Sequence, residues 1–240
     1  MCMNFYKIPS VGGNKGAETM NLQKMFEMQK VLDDRIIKEK GLEGQDLLPN
    51  LILALQVELA ECANEWRGFK HWSNNQKPRT KVSTNVGANP ENAAFFRCEN
   101  HYCGENLNKD DFKHLLDPDY EICPVCNVGD VTAFRDKNPL LEEYVDCLHF
   151  ILSIGNRLDY NDSETINIIL SKYLNIRGIL NPKWLFSSLI STVAFTRQNY
   201  INLFINFFTL GKRLGFTIEQ IEAAYMEKNA VNHQRQQEGY

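Results

Sequence analysis

The spacing of apolar residues along the chain predicts a mostly helical protein. In residues 20 to about 39, apolar side chains recur every three or four positions, which is the period of one face of an α-helix. This first stripe consists of Met25, Met28, Leu32 and Ile36. A second stripe begins near Pro49 and continues to about Lys70, so a second helix is expected there.

The later part of the chain carries three signals for helix starts. Asn138 suits an N-cap, and the proline that follows it suits the first position of a helix through "LLEEYVDCLHFILSIG". Either Asp162 or Ser163 can cap "ETINIILSKYL". In "TIEQ", Thr217 and Gln220 fit a capping box at the start of a final helix.

The segment between the second and third helices differs in composition from the rest. Residues 73–93 are rich in Asn, Pro, Gly and Thr and have no periodicity, which predicts an exposed linker. Residues 94–136 hold four clustered cysteines among aromatic and turn residues. We therefore expect an all-α domain formed by residues 1–73 and 137–240. A linker and a small insert, residues 74–136, should interrupt it.

Composition and charge narrow the classes of function. The 240 residues are 43% hydrophobic and 23% charged, which is ordinary for one large domain or for a core domain with a small second one. The net charge of −4 argues against nucleic acid as the main partner, because proteins that bind it usually carry a basic surplus. The sequence shows no export signal and no apolar run of about 20 residues. A cytoplasmic protein without a membrane segment is expected.

Two pairs of acids stand within otherwise apolar helices. Glu58 and Glu61 are three positions apart in the second helix, and Glu143 and Asp146 repeat that spacing in the third. Residues three apart share one face of a helix, so packing of the two helices would bring four carboxylates together. Such a cluster needs a cation, and oxygen ligands favour Mg²⁺ bound together with substrate phosphates. The alternative is that each pair is a solvated surface feature, which is the more common situation for either pair alone.

The last predicted helix carries three polar groups on one face. Lys228, Asn232 and Arg235 are spaced i, i+4 and i+7. Two cations and an amide on one face suit the binding of a polyphosphate. The alternative is a polar helix that is exposed to water.

Together these motifs resemble the dimeric, all-α dUTP diphosphatases, within the wider all-α NTP pyrophosphatase superfamily. The matching pieces are "FEMQKVLDDRI", "ELAECANEWRGFKHWS", "LLEEYVDCLHFILSIG" and "KNAVNHQRQQEGY". The paired acids alone indicate only the superfamily, whereas the longer pieces are more specific to the dUTPase branch. The resemblance implies an all-α helical bundle that acts as a homodimer. It also implies hydrolysis of dUTP to dUMP and pyrophosphate, a reaction of nucleotide pool sanitation.

The resemblance further implies roles for individual residues. Catalytic Mg²⁺ would be held by the four paired acids, Glu58, Glu61, Glu143 and Asp146. Glu58 would also position or deprotonate the water that attacks the β-phosphate, and Gln29 matches the glutamine that recognises uracil. Phosphates or sugar would be held by Lys228, Asn232 and Arg235. Trp72 or Phe69 would stack on the base, although both could simply be packing aromatics.

Two other functions fit the same residues. One is a pyrophosphatase for another nucleotide, such as dCTP, since no single residue identifies the wall of the base pocket. The other is a non-catalytic binding protein on the same scaffold, which would contact a protein or a nucleic acid through its cysteine insert. An intact set of four acids favours an enzyme, because a binding protein would tolerate losses there.

The four clustered cysteines lie in two pairs, Cys98 with Cys103 and Cys123 with Cys126. Two close pairs fit a tetrahedral structural Zn²⁺ site of zinc-ribbon type, and a short polar segment needs such a cross-link to fold. The first pair is more widely spaced than usual, which leaves His101 as an alternative ligand. The other interpretation is four unrelated buried thiols. The insert could close over the active site, extend the dimer or bind a partner.

Overall fold

A computed structural model describes residues 20–108, 122–175, 180–193 and 195–239. Most of the described chain is helical, so the expected all-α domain is confirmed. The helices are α1 (Leu22–Glu39), α2 (Leu48–Trp66), α3 (Pro139–Arg157), α4 (Ser163–Leu174), α5 (Pro182–Ile190), α6 (Arg197–Leu214) and α7 (Ile218–Gln237). None of these helices is long and apolar enough to cross a lipid bilayer. The expectation about an export signal concerns N-terminal residues outside the described part.

The helix starts follow the capping signals in the sequence. The side chain of Asn138 accepts a hydrogen bond from a backbone N–H in the first turn of α3. Of the two candidates at α4, Asp162 is the N-cap and Ser163 is the first helical residue. At α7, Thr217 and Gln220 form both hydrogen bonds of the capping box. Each of these caps satisfies a backbone donor that would otherwise lack a partner, which contributes about 1 kcal/mol.

Helix α2 ends about four residues earlier than predicted. Its last residue is Trp66, and the next residue, Arg67, has a φ of 61° in the left-handed region. A regular helix cannot continue through that conformation. The chain then turns back, with the N–H of Lys70 donating to the carbonyl oxygen of Arg67 at 2.9 Å. As a result Phe69 and Trp72 lie in a loop beyond the helix.

The main core is built around α3, which packs against α1, α2, α6 and α7. Eleven of its residues are buried. Gly155 permits the close approach of α6, because a Cβ atom there would lie only 2.1 Å from the hydroxyl oxygen of Tyr200. That hydroxyl instead donates to the carbonyl oxygen of Ile151 at 2.9 Å. The enclosure of α3 therefore fixes its polar side chains relative to the neighbouring helices.

The insert contains a four-stranded antiparallel sheet. Its strands are β1 (Val82–Thr84), β2 (Phe95–Cys98), β3 (Asn106–Asn108) and β4 (Val131–Lys137), in the spatial order β1-β4-β2-β3. A second, small core at this sheet consists of Ala93, Phe96, Cys98, Leu107 and Cys123. Strand β1 lies within the segment predicted to be a linker. Its three residues are too few for a recognisable pattern, and pairing with the distant β4 orders them, with Val82 opposite Lys137.

Contacts from Arg79 and Arg135 attach the base of the insert to the helices. Arg79 makes a two-point ion pair with Glu65 of α2, in which both N···O distances are 2.7 Å. The carbonyl oxygen of Arg79 accepts a hydrogen bond from the N–H of Leu140 in α3 at 3.1 Å. On β4, a guanidinium nitrogen of Arg135 lies 3.6 Å from a carboxylate oxygen of Glu227 in α7. The insert is thus joined to the three helices that carry the predicted acids and cations.

Candidate active site

Three acidic side chains converge where α2 packs on α3. Glu58 of α2 and Glu143 and Asp146 of α3 each offer one carboxylate oxygen, and these oxygens lie within 4.8 Å of one another. All three residues are half-buried. The spacing of three residues on α3 places its two acids on the same face. Glu61, the fourth predicted ligand, lies one turn further along α2, where it is exposed and outside this group of described residues.

The pKa values of the three converging acids are all raised, by burial and by the negative charges of neighbouring acids. Burial, and then the charges of Asp146 and Glu58, raise the pKa of Glu143 from 4.5 to about 7. Burial, followed by the charges of Asp146 and Glu61, raises the pKa of Glu58 from 4.5 to about 6. Burial also raises the pKa of Asp146, while Lys228 opposes that effect. Carboxyls held this close resist ionising together unless a cation lies between them.

One cation already lies beside the acids. The ammonium nitrogen of Lys228 in α7 is 2.5 Å from Oδ2 of Asp146. A single ammonium cannot balance three ionised carboxylates, so the site keeps a negative charge. A hard divalent cation, which prefers oxygen ligands, fits both the donor set and this charge.

The metal-free protein is expected to lose stability as the pH rises from about 6.5 to 8. The pKa of Glu143 is about 7 in the folded protein and near 4.5 in an unfolded chain, so the stability present at low pH is lost progressively above about pH 4.5, and the last part of the loss falls between pH 6.5 and 8. His149 has the opposite sign, since burial lowers its pKa to about 3 while an unfolded imidazole is still half protonated at pH 6.5, so its contribution levels off only near pH 7.5 and offsets part of the loss. Thermal unfolding in EDTA across this range tests the expectation, which a constant or rising Tm would contradict. Added Mg²⁺ should raise the Tm more at pH 8 than at pH 6.5, because protons compete with the metal.

A cavity of about 490 Å³ adjoins the acids. Helices α1, α2, α3 and α7 form its walls, and its volume lies in the range of small-molecule sites. Glu58 and Asp146 lie in this wall. The three predicted phosphate-binding residues also line it: Lys228, Asn232 and Arg235. The acids and the polar face of the last helix therefore face one space.

Trp72 does not line this cavity. It lies in the loop after α2 with 67% of its surface exposed, and its ring meets that of Phe69 edge-on with the centroids 5.7 Å apart. The stacking of either ring on a nucleotide base stays a prediction.

Gln29 of α1 lines the cavity, but its side-chain amide is fully engaged within the protein. Its Nε2 donates to Oδ1 of Asp33 at 2.8 Å and to Oγ of Ser153 at 3.0 Å. Its Oε1 lies 2.6 Å from Nδ1 of His149 and 3.2 Å from the hydroxyl of Tyr225. Burial keeps the imidazole neutral, and Nδ1 carries the proton because an amide oxygen can only accept. Side chains from α1, α3 and α7 thus hold the amide in one orientation.

Sequence reasoning missed three members of this network, Asp33, His149 and Ser153. The signal for them is periodicity: Asp146, His149 and Ser153 are spaced i, i+3 and i+7 along α3. The polar stripe that begins with the acids therefore continues along the same face. On α1, Asp33 follows Gln29 by one turn. A run of polar residues within a buried helix indicates a site more strongly than any single acid.

The four cysteines of the insert form a compact cluster. Each sulfur atom of the set lies within 4.8 Å of the others, and the set is Cys98, Cys103, Cys123 and Cys126. The Sγ atoms of Cys98 and Cys126 are 3.6 Å apart, and those of Cys103 and Cys123 are 4.0 Å apart. Tetrahedral zinc with bonds of about 2.3 Å separates its sulfurs by about 3.8 Å, so these donors fit. His101 lies outside this group of described residues.

Backbone N–H groups support two of these sulfurs. Asn100 donates to Sγ of Cys98 and Gly129 donates to Sγ of Cys126, both at 3.4 Å. Hydrogen bonds from Gly129 and Val128 lower the pKa of Cys126 to about 6. A side chain at position 129 would crowd the cluster, since a Cβ there would lie 2.6 Å from Sγ of Cys98. A stabilised thiolate among close thiols is the arrangement that a metal requires.

A helical bundle with a carboxylate cluster beside a cavity of this size fits one class of protein in particular once the comparison with known families is added, the all-α hydrolases of nucleoside triphosphates. A family model described as dUTPase matches residues 21–85 and 132–240. The chain therefore belongs to the all-α dUTPase family, and this membership supports dUTP diphosphatase activity. No curated protein matches the chain. The cysteine cluster falls between the two matched parts.

Proposed function

We propose that the protein is a Mg²⁺-dependent dUTP diphosphatase, which yields dUMP and pyrophosphate and thereby removes dUTP from the nucleotide pool. One observation carries this proposal: three acids from two helices converge beside a cavity that the predicted phosphate-binding residues also line. Family membership supplies the class of substrate. A catalyst of phosphoryl transfer needs this combination of bound cation and phosphate-binding cations on one space.

Residues around the cavity would have separate roles in metal binding, in catalysis and in phosphate binding. Mg²⁺, when bound, neutralises charge on the phosphates and lowers the pKa of a coordinated water. The metal would be held by Glu58, Glu61, Glu143 and Asp146. Glu58 would position the attacking water or accept its proton. Lys228 would donate to a phosphate oxygen, and Asn232 and Arg235 would hold other parts of the phosphates or the sugar.

The cysteine cluster would hold a structural Zn²⁺. Four sulfur donors leave no open position for a substrate, and this is typical of structural zinc sites. In the described part of the insert the core consists of five buried apolar residues, which is too few for an independent fold without a cross-link. Zinc would supply that cross-link.

Exposed apolar surfaces support two proposals about partners. Leu53 and Val57 lie one turn apart on α2, and Trp184 on the adjacent α5 is 75% exposed. Apolar surface of this kind would suit the contact between two copies in a cytoplasmic homodimer. Tyr102 and Val128 lie next to the clustered cysteines in sequence and are also exposed. Both would suit a protein partner of the insert.

Pyrophosphate release from dUTP, dCTP, dTTP and ATP, measured with Mg²⁺ and with EDTA, tests the proposed function. We expect dUTP to be hydrolysed with a kcat/KM at least about 100-fold above that of dCTP, because a mismatched base leaves buried polar groups unpaired. The additional methyl group of dTTP should be excluded sterically, and EDTA should abolish release. Faster hydrolysis of dCTP would refute the substrate alone. Absence of any turnover would refute the enzyme and favour the binding protein.

A further inference from the structure

We infer that Asp33 distinguishes uracil from cytosine in the cavity, because its Oδ2 atom accepts a hydrogen bond from N3–H of the base. The inference rests on the proposed function, since it assigns the base end of the same cavity. Asp33 is half-buried in α1 and lines the cavity. The residue that the family resemblance assigns to uracil, Gln29, is engaged with protein groups at both ends of its amide.

Hydrogen bonding leaves one oxygen of Asp33 for a ligand. Oδ1 accepts from Nε2 of Gln29 at 2.8 Å and from Oγ of Ser153 at 2.9 Å. Neither bond involves Oδ2. The hydroxyl of Ser153 gives its single proton to Asp33 and accepts from Gln29, so the direction of every bond in this group is determined. Gln29 therefore positions Asp33, a residue of the cavity wall, and we infer that Oδ2 is the oxygen that meets a ligand there.

The distance from the metal-binding acids suits a base at this place. Ser153, which holds Asp33, is seven residues beyond Asp146 on α3, a rise of about 10 Å. A deoxyribose and a pyrimidine ring together span a distance of that order from the α-phosphate. Phosphates beside Asp146 therefore place the base beside the network of Gln29, Ser153 and Asp33.

The chemistry of the two bases decides the preference. Uracil has a donor at N3, whereas neutral cytosine has an acceptor at the same position. Oδ2 of an ionised Asp33 accepts from uracil, and it repels the lone pair of cytosine. A site built to pair one hydrogen-bonding pattern rejects the other strongly, since the mismatch leaves buried polar groups without partners.

The charged groups around Asp33 are compatible with this role at neutral pH. Burial raises the pKa of Asp33 to about 6, the charge of Asp34 acts in the same direction, and Lys30 opposes it. On the facing helices, burial keeps His149 neutral and raises the pKa of Tyr225. The other ionisable residues in the cavity wall are Glu58, Asp146, Arg157, Lys228 and Arg235.

The first test is an Asp33→Asn variant, measured by calorimetric binding of dUMP and dCMP in EDTA. Because Gln29 and Ser153 both donate to the Oδ1 position, the amide oxygen should occupy it and turn the NH₂ group toward the cavity. We expect the ratio of dUMP to dCMP affinity to fall at least about 100-fold, since a donor replaces an acceptor. The matched control is Glu27→Gln, which removes an exposed acid of α1 that accepts a hydrogen bond from Gln23 one turn away. This control should keep the wild-type ratio.

The second test uses the wild-type protein and so does not depend on the folding of a variant. Protonation of Asp33 must fall on Oδ2, since Oδ1 already accepts twice, and it turns the acceptor into a donor. The ratio of dUMP to dCMP affinity should therefore fall at least tenfold between pH 7.5 and pH 5.5. The phosphate groups of the two nucleotides titrate alike, so their effect cancels in the ratio.

The two tests separate the inference from the proposed function. An unchanged ratio in Asp33→Asn and across the pH range would overturn the role of Asp33, even if the wild-type protein hydrolyses dUTP. An inverted ratio in the variant would support that role, even if no triphosphate is hydrolysed. In that last case the cavity would bind uracil selectively, whereas the absence of pyrophosphate release would refute the catalytic proposal.

Discussion

The Glu143→Gln variant is expected to hydrolyse dUTP at least about 10³-fold more slowly than the wild-type protein. Glutamine keeps the shape of the side chain but removes a charged ligand from the cluster with Glu58 and Asp146. A catalytic cation contributes several kcal/mol of charge stabilisation, and about 4 kcal/mol corresponds to a factor of 10³ in rate. The measurement is kcat for pyrophosphate release at saturating Mg²⁺.

The same substitution should have the opposite effect on stability. At pH 8 the wild-type protein must ionise Glu143 next to two other carboxylates, whereas glutamine carries no charge. In EDTA at pH 8 the variant should therefore have a higher Tm than the wild-type protein. Its Tm should also change less between pH 6.5 and pH 8. Lower activity together with higher metal-free stability is the signature of a site that is organised for a cation, and general misfolding would lower both.

The matched control for this variant is Glu142→Gln. Glu142 is the preceding residue on α3, but its carboxylate faces Lys137 at 3.0 Å and lies outside the acidic cluster. We expect its activity to stay within about twofold of wild type, since Glu142 is not one of the converging acids and an ion pair this accessible to solvent contributes about 1 kcal/mol or less. If Glu143→Gln keeps more than a tenth of the wild-type rate while Glu142→Gln behaves normally, the metal-binding role of Glu143 is wrong.

Local signals made much of the fold predictable from the sequence. Asn138 and the Thr217–Gln220 pair act within one turn of their own helix, so their spacing alone was sufficient. The acids were found in the same way, because a spacing of three places two carboxylates on one face. Their convergence across α2 and α3 needed the family resemblance as well, since either pair alone is compatible with an exposed surface.

Features that depend on side-chain conformation or on distant partners were not accessible in this way. Glu61 has the same spacing from Glu58 that Asp146 has from Glu143, yet Glu61 is exposed and Asp146 is half-buried. Gln29 was recognised, but its engagement with His149 joins residues that are 120 positions apart. Strand β1 likewise depends on a partner strand far along the chain. Long-range packing decides each of these features.

Replacing Cys123 by serine is expected to remove zinc from the protein and to unfold the sheet of the insert. Cys123 is fully buried and belongs both to the cysteine cluster and to the small core beside the sheet. Zinc binding contributes about 10 kcal/mol or more of folding free energy in small zinc domains. The five-residue core cannot replace a contribution of that size. The insert should therefore lose its structure in the variant.

The helical core should remain folded in this variant, because the residues that surround α3 form a separate buried cluster. Zinc content by mass spectrometry should fall from one ion per chain to below a tenth, and amide exchange in β2, β3 and β4 should lose its protection. Cys62→Ala is the control, since it removes a buried thiol outside the cluster and should keep one zinc. Because Arg79 and Arg135 join the insert to α2 and α7, dUTP hydrolysis should also decrease, by about tenfold or less. Full zinc content or unchanged protection in Cys123→Ser would show that the four sulfurs do not hold the metal that folds the insert.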